Sequence, residues 1–283
     1  MNQTHPDYLS DEVIEFQVRA ALAEDIGHGD LSAALLFAGQ RGAARVRCRE
    51  AAILCGQAWF ERAFRLLDPL VRFEWYVQDG DAVPADSELC RVIGQSRALL
   101  SAERTALNFL QLLSGTATTT RQYVEAIAGT GAVILDTRKT LPGLRLAQKY
   151  AVLCGGGHNH RLGLYDAVML KENHIAALGS IGAAVEAARR EVPEAPIIVE
   201  AENPQEIEAA LAAGVEHILL DNLDLQALKR AVDHVAGRAR LEASGGVTLE
   251  TIRAIAETGV DYISVGSLTK QPRAIDLSLR FEP

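Results

Sequence analysis

Between residues 136 and 174 the chain gathers an unusual density of fixed positive charge beside glycines. The segments are Asp136-Thr-Arg-Lys-Thr-Leu-Pro-Gly-Leu-Arg145, Cys154-Gly-Gly-Gly-His-Asn-His-Arg161 and Leu170-Lys-Glu-Asn-His174. Cations packed this closely repel one another unless something strongly negative sits among them. Arg138 offers a planar fork that holds a carboxylate by two bonds, whereas Lys139 offers a compact charge suited to phosphate. An isolated Arg-Lys pair would read as two surface salt bridges. Here Arg145, His160, Arg161 and Lys171 are added by neighbouring segments, and Gly155-Gly-Gly157 lets the backbone approach a ligand closely. The pattern points to a binding site for a small polyanion with several carboxylate or phosphate groups.

Glu200 and Asp221 follow two successive apolar runs. Facing carboxylates among cations suit a hydrated Mg²⁺, which keeps several waters and takes one or two carboxylates together with substrate phosphates. The same two carboxylates would equally pair with Lys139 or Lys171. Lys171 in an apolar pocket would also suit a Schiff-base nucleophile, but with so many cations nearby it reads first as an anion contact. His158, His160 and His174 lack the helical spacing and carboxylate partner of a zinc site. Ser244-Gly-Gly246 before Thr248, and Gly266 after the last apolar run, suit backbone N–H groups aimed at a phosphate.

Parallel strands buried on both faces would bring these residues together. From Gly131 onward, apolar runs of strand length alternate with alanine-rich helical stretches: Ala132-Val-Ile-Leu, Ala167-Val-Met-Leu, Ile197-Ile-Val, His217-Ile-Leu-Leu, Leu241-Glu-Ala and Tyr262-Ile-Ser-Val. Asn203-Pro-Gln-Glu206 supplies a cap, a first-turn proline and a glutamate, and Gly214 suits the end of that helix. Thr248 and Gly259 bracket the next one. Six βα units are fewer than the eight of a complete barrel, with a further strand conceivable around 151–153, so the expectation is a closed but incomplete α/β barrel of seven strands or so. Its active site would lie where strands run into the following loops.

Residues before about 115 read differently. Ser10, Asp11 and Glu12 suit a helix start, and Val13, Phe16, Val18, Ala20 and Leu22 suggest its apolar side. Strand-like pieces at 44–48, 71–77 and 88–93 predict an antiparallel sheet with helices on one face. A helix over 101–128, with Gly115 as a point of interruption, would join the two parts. The expected organisation is an N-terminal α/β sandwich over 1–114, a barrel over 115–271, and a tail over 272–283 returning to the first domain.

The 283 residues carry a net charge of -9. That balance argues against a general nucleic-acid binder, which needs a broad basic face. No stretch approaches the ~18 apolar residues of a membrane span, and the polar start predicts a cytoplasmic protein without a leader. Cys48, Cys55, Cys90 and Cys154 are scattered and read as inert thiols.

Taken together, Glu24-Asp-Ile-Gly-His-Gly-Asp30, Glu103-Arg-Thr-Ala-Leu-Asn-Phe-Leu110, the three cationic segments, Glu242-Ala-Ser-Gly-Gly246 and Ser264-Val-Gly266 closely resemble the quinolinate phosphoribosyltransferase family over nearly the whole chain. The resemblance implies an open-faced α/β sandwich, an incomplete barrel, and a homodimer with shared active sites. By it, Arg138, His160, Arg161 and Lys171 would bind quinolinate, with Arg104 supplied by the other subunit. Lys139, Glu200, Asp221, Ser244, Gly245, Gly246 and Gly266 would hold phosphoribosyl pyrophosphate and its Mg²⁺. Lys139, Lys171, Glu200 and Asp221 would be the catalytic set, Glu200 and Asp221 its metal ligands. The implied reaction is attack of the pyridine nitrogen on the anomeric carbon as pyrophosphate leaves, then loss of the 2-carboxylate as CO₂. No organic cofactor is implied.

Overall fold

The computed structural model describes residues 6–282; most of the polar start read above for the lack of a leader lies outside them. In chain order the elements are α1 (Asp11–Ile26), β1 (Arg41–Cys48), β2 (Ala52–Ile53), α2 (Gln57–Arg65), β3 (Arg72–Trp75), β4 (Ala82–Val83), β5 (Ser87–Gln95) and α3 (Ser96–Ala126). Then follow β6 (Val133–Leu135), α4 (Arg145–Cys154), β7 (Val168–Leu170), α5 (Glu172–Leu178), α6 (Ile181–Glu191), β8 (Ile197–Ala201) and α7 (Pro204–Ala212). The last are β9 (His217–Asp221), α8 (Leu225–Val235), β10 (Arg240–Ser244), α9 (Ile252–Ala256), β11 (Tyr262–Ser264), α10 (Ser267–Lys270) and β12 (Leu277–Phe281). The chain forms two compact units, one of residues 1–121, 140–156 and 268–283, the other of 122–139 and 157–267.

In the first unit an antiparallel sheet runs β12-β1-β5-β3. Alternation along β1 buries Ala44, Val46 and Cys48 and turns Arg45 and Arg47 outward, as period-two side chains require when one face is covered. The covered face packs on Ile14, Val18 and Leu22 of α1, on Trp59, Phe60 and Phe64 of α2, and on Leu99 and Leu107 of α3. Each fully buried aromatic or leucine contributes about 1.5–3 kcal/mol by leaving water. The open face carries ion pairs: Arg45 reaches Glu88 and Glu282, and Arg91 reaches Glu74 and Glu282. β12, within the tail, pairs with β1 from Ala44↔Phe281 to Cys48↔Leu277.

Three sequence expectations change here. Phe16 is 76% exposed, and the buried face of α1 is Ile14, Gln17, Val18 and Leu22 instead. Gly115 does not interrupt α3; the helix runs through it, and a side chain there would collide with the Arg273 carbonyl oxygen. Residues 151–153 form part of α4 rather than a strand.

The second unit holds a parallel sheet in the order β6-β11-β10-β9-β8-β7, formed by the six apolar runs read from the sequence. Pairing of its first strand with its last is the connectivity of a barrel. A single parallel bridge, Leu135↔His158, adds a seventh piece beside β6, and the described hydrogen bonds leave β7 joined to β8 alone. The barrel is therefore incomplete. Side-chain caps open three of the helices, α6, α7 and α8: Ala183 N–H donates to Ser180 Oγ, Glu206 N–H to Asn203 Oδ1 and Ala227 N–H to Asp224 Oδ1.

Candidate active site

One cavity of about 410 Å³ lies within the second unit, at the ends of its strands. Its cations and imidazole come from three segments. Arg138 and Lys139 follow β6, His160 and Arg161 follow the glycine run, and Lys171 follows β7. Its carboxylates are Glu200 of β8, Asp221 of β9 and Glu242 of β10. Thr137, Ser244 and Ser264 add hydroxyls, while Met169 and Leu219 supply apolar surface.

Local geometry explains why these side chains converge. Lys139 N–H donates to Thr137 Oγ1 at 3.0 Å, turning the chain sharply after β6. Asp136, fully buried, accepts from Asn159 Nδ2 at 2.6 Å and from the His160 N–H at 2.9 Å. That carboxylate ties the glycine-led segment to the end of β6. The Arg161 guanidinium donates to the Ala167 carbonyl at 3.1 Å and lies 3.6 Å from Met169 Sδ. Burial, and then the Arg138 guanidinium beside it, push the Arg161 pKa down. Two like charges are thus held together before any anion arrives.

The carboxylates are divided. Glu200 accepts from Lys171 Nζ, so the alternative of a Lys–Glu pair is realised in this arrangement. Asp221 accepts from Asn222 Nδ2 at 2.7 Å. Both offer hard oxygen donors without cysteine or histidine in the set, and together they fall short of the three or more ligands of a closed protein site. This suits Mg²⁺, which retains waters and takes phosphate oxygens.

The glycines have distinct reasons. Gly245 has φ +97, and a side chain there would collide with Asn222 Oδ1; Gly246 has φ +59 and opens to free space. Added bulk at Gly266 would meet Lys139 Cδ at 3.1 Å, so the lysine stem lies across that backbone.

Of the residues singled out from the sequence, Arg138, Lys139, His160, Arg161, Lys171, Glu200, Asp221 and Ser244 share the cavity lining. Arg104 stands exposed on α3 in the first unit and is not part of that lining. Arg145 also leaves the cluster: it belongs to the first unit and donates to Thr140 Oγ1 at 3.2 Å. Sequence reasoning misses Glu242. It is fully buried, with the imidazole Nε2 of His217 at 2.8 Å and that of His160 at 3.2 Å from its Oε2. Burial alone would raise its pKa; the two imidazoles, helped by Ser264, outweigh that and hold it down to about 2. A signal for it does exist: one glutamate inside a strand buried on both faces.

An incomplete α/β barrel whose strand ends assemble cations, carboxylates and glycines in one cavity defines a protein built to hold small polyanions. Residues 30–114 and 116–280 match the family models described as the N-terminal and C-terminal domains of quinolinate phosphoribosyl transferase. The chain belongs to the quinolinate phosphoribosyltransferase family. It is 44% identical to a probable nicotinate-nucleotide pyrophosphorylase (carboxylating) of a Synechocystis species, over 95% of this chain and 92% of that one. A protein of the same description from Bacillus subtilis is 42% identical over 90% of this chain and 89% of its own length. Among solved structures, the nicotinate-nucleotide pyrophosphorylase of Francisella tularensis superposes with a TM-score of 0.93 at 43% identity, covering 99% of this chain and 100% of that one.

Proposed function

We propose that the protein transfers the phosphoribosyl group of phosphoribosyl pyrophosphate to quinolinate and releases CO₂, giving nicotinate mononucleotide and pyrophosphate for NAD synthesis. The observation that carries this reading is the convergence of Arg138, Lys139, Arg161 and Lys171 on one cavity that also offers apolar surface from Met169 and Leu219. An aromatic diacid needs both. A close opposite-charge contact at an effective dielectric near 20 contributes up to about 4 kcal/mol before desolvation. Several cations are therefore matched by two carboxylates and a pyrophosphate.

In this reading Arg138, Arg161 and Lys171 take the carboxylates of quinolinate, with His160 at the same end of the cavity. Lys139 takes phosphate charge, and the backbone at Ser244, Gly245, Gly246 and Gly266 approaches the phosphoribosyl group. Glu200 and Asp221 would hold Mg²⁺, which when bound supplies neutralisation of pyrophosphate charge. The chain's own contribution is positioning and fixed charge. The pyridine nitrogen is placed to attack the anomeric carbon as pyrophosphate departs, and the alkylated ring then stabilises the carbanion left by CO₂ loss.

Arg104 is proposed to enter the site of a second copy of the chain in a homodimer. Leu31, Leu35 and Phe37 are 85–88% exposed within seven residues, an apolar patch suited to a protein partner. A cytoplasmic setting accords with four free cysteines, and among the described residues no helix is long and apolar enough to cross a membrane.

The test combines the protein with quinolinate, phosphoribosyl pyrophosphate and Mg²⁺ and follows CO₂ and nicotinate mononucleotide. Both products are expected in equal amounts. Folded protein that forms neither would end this assignment.

A further inference from the structure

The carboxylate of Glu242 touches two imidazoles, and the proton inventory of that contact restricts what His160 can do. An ionised carboxylate accepts and never donates. His217 Nε2 makes a 2.8 Å hydrogen bond to Oε2 and so directs its proton toward it, and His160 Nε2 faces the same oxygen at 3.2 Å. The other nitrogen of His160, Nδ1, accepts the backbone N–H of Arg161 at 2.7 Å. A ring nitrogen that accepts bears no proton. Nδ1 of His160 is therefore the unprotonated nitrogen, and the proton sits on Nε2, the side that faces Glu242.

We infer that Glu242 is a positioning residue: its buried carboxylate, held by His217, faces the Nε2 side of the His160 ring and keeps that ring oriented so that Nδ1 anchors the backbone of Arg161 and aims that guanidinium into the cavity. The role rests on the reading above in which Arg161 holds a carboxylate of the aromatic diacid. Three groups from different strands serve it. Glu242 comes from β10, His217 opens β9, and the Ser264 hydroxyl of β11 adds to the stabilisation of the carboxylate. Asp136 holds the same segment by the His160 N–H, so backbone and ring are restrained separately. The His217 ring in turn lies 5.3 Å from that of Tyr262, which limits its rotation.

The arrangement separates two tasks. Arg138, Arg161 and Lys171 supply charge to the substrate, while the buried glutamate and its imidazoles set where the Arg161 main chain lies. Loss of the glutamate charge should then weaken diacid binding and leave the phosphoribosyl donor alone.

Two measurements test this. In the wild-type protein, nitrogen-15 histidine NMR should report His160 with its proton on Nε2 and with Nδ1 unprotonated. An imidazolium or an Nδ1–H tautomer at His160 would overturn the inference whether or not the protein turns over substrate. Glu242→Gln should raise KM for quinolinate about tenfold, with kcat and KM for phosphoribosyl pyrophosphate within about twofold, since one charge-assisted contact is exchanged for a neutral one. His217→Gln, which keeps a donor toward Glu242, should restore most of the quinolinate affinity that His217→Leu loses. Unchanged KM in folded Glu242→Gln, or equal losses for both His217 variants, would refute the positioning role.

Discussion

Glu242 sits where an ionised group is costly, and its environment converts that cost into a dependence on pH. The folded chain holds its carboxyl at about 2 against an ordinary 4.5, so as pH falls the unfolded chain takes up the proton first. Its stabilisation is complete above about pH 4.5 and is lost as pH falls toward 2, on the order of 3 kcal/mol across that window. Urea unfolding should show Glu242→Gln most destabilised relative to wild type near pH 7, with the gap narrowing near pH 3. A constant gap would place the effect in packing instead of charge. Residues at the cavity divide by ligand in the same manner. Arg138→Ala should raise KM for quinolinate at least about tenfold more than KM for phosphoribosyl pyrophosphate, and Asp221→Ala should do the reverse, as expected when one charge-assisted contact is removed from one substrate only. Steady-state kinetics with each substrate varied in turn checks this, and equal effects on both would contradict the division. Arg138, Lys139, Arg161 and Lys171 are legible in the sequence because clustered cations are anomalous in an acidic chain. Glu242 is not, because a period-two or apolar-run reading treats an interior glutamate as part of the strand and carries no record of the imidazoles that surround it in the fold.

The six parallel strands can be read directly, since strands covered on both faces appear as apolar runs whatever packs on them. Helix positions that depend on a distant neighbour cannot. Gly115 suggests an interruption, yet α3 passes through it because the missing side chain makes room for the Arg273 carbonyl. Gly115→Ala introduces a better helix former but drives a carbon into that oxygen, so it should destabilise by more than about 2 kcal/mol despite the gain in helix propensity. Asn203→Ala, which removes the acceptor for the Glu206 N–H, should cost about 1 kcal/mol. Chemical denaturation of the two variants orders them, and a Gly115→Ala variant as stable as wild type would mean that the tail is not held against α3 as described. The apolar triplet at 151–153 shows the converse ambiguity. A short run in Ala-Val-Leu suits a buried strand as well as a buried helix, and here Ala151 and Val152 are wholly covered within α4. Phe16 suits the covered side of α1 by its type, whereas the face that packs is set by Ile14, Gln17, Val18 and Leu22.

Over the whole molecule a net charge of -9 surrounds a cavity lined by four permanent cations. Anionic substrates are repelled at long range and captured at short range, so added salt screens both effects and their balance is set by distance. The decisive question at this scale is whether one chain suffices for a working site. Arg104 stands exposed on the first unit and outside the cavity lining, and the proposed homodimer places it in the site of a second copy. Such sharing has a consequence that no single-chain site can imitate. At substrate concentrations well below the raised KM values, Arg104→Ala and Asp221→Ala should each retain only a small fraction of wild-type activity as separate preparations. In a hybrid dimer of the two, the barrel that keeps Asp221 also receives the intact Arg104 of the other copy, while the remaining site carries both defects. Random exchange of subunits makes half the dimers hybrid with one working site in two, so an equimolar mixture should recover about a quarter of wild-type activity. The recovery should grow with the time allowed for subunit exchange and should vanish when each variant is crosslinked to itself before mixing. Activity in the mixture equal to the mean of the two separate variants would show that each chain completes its own site.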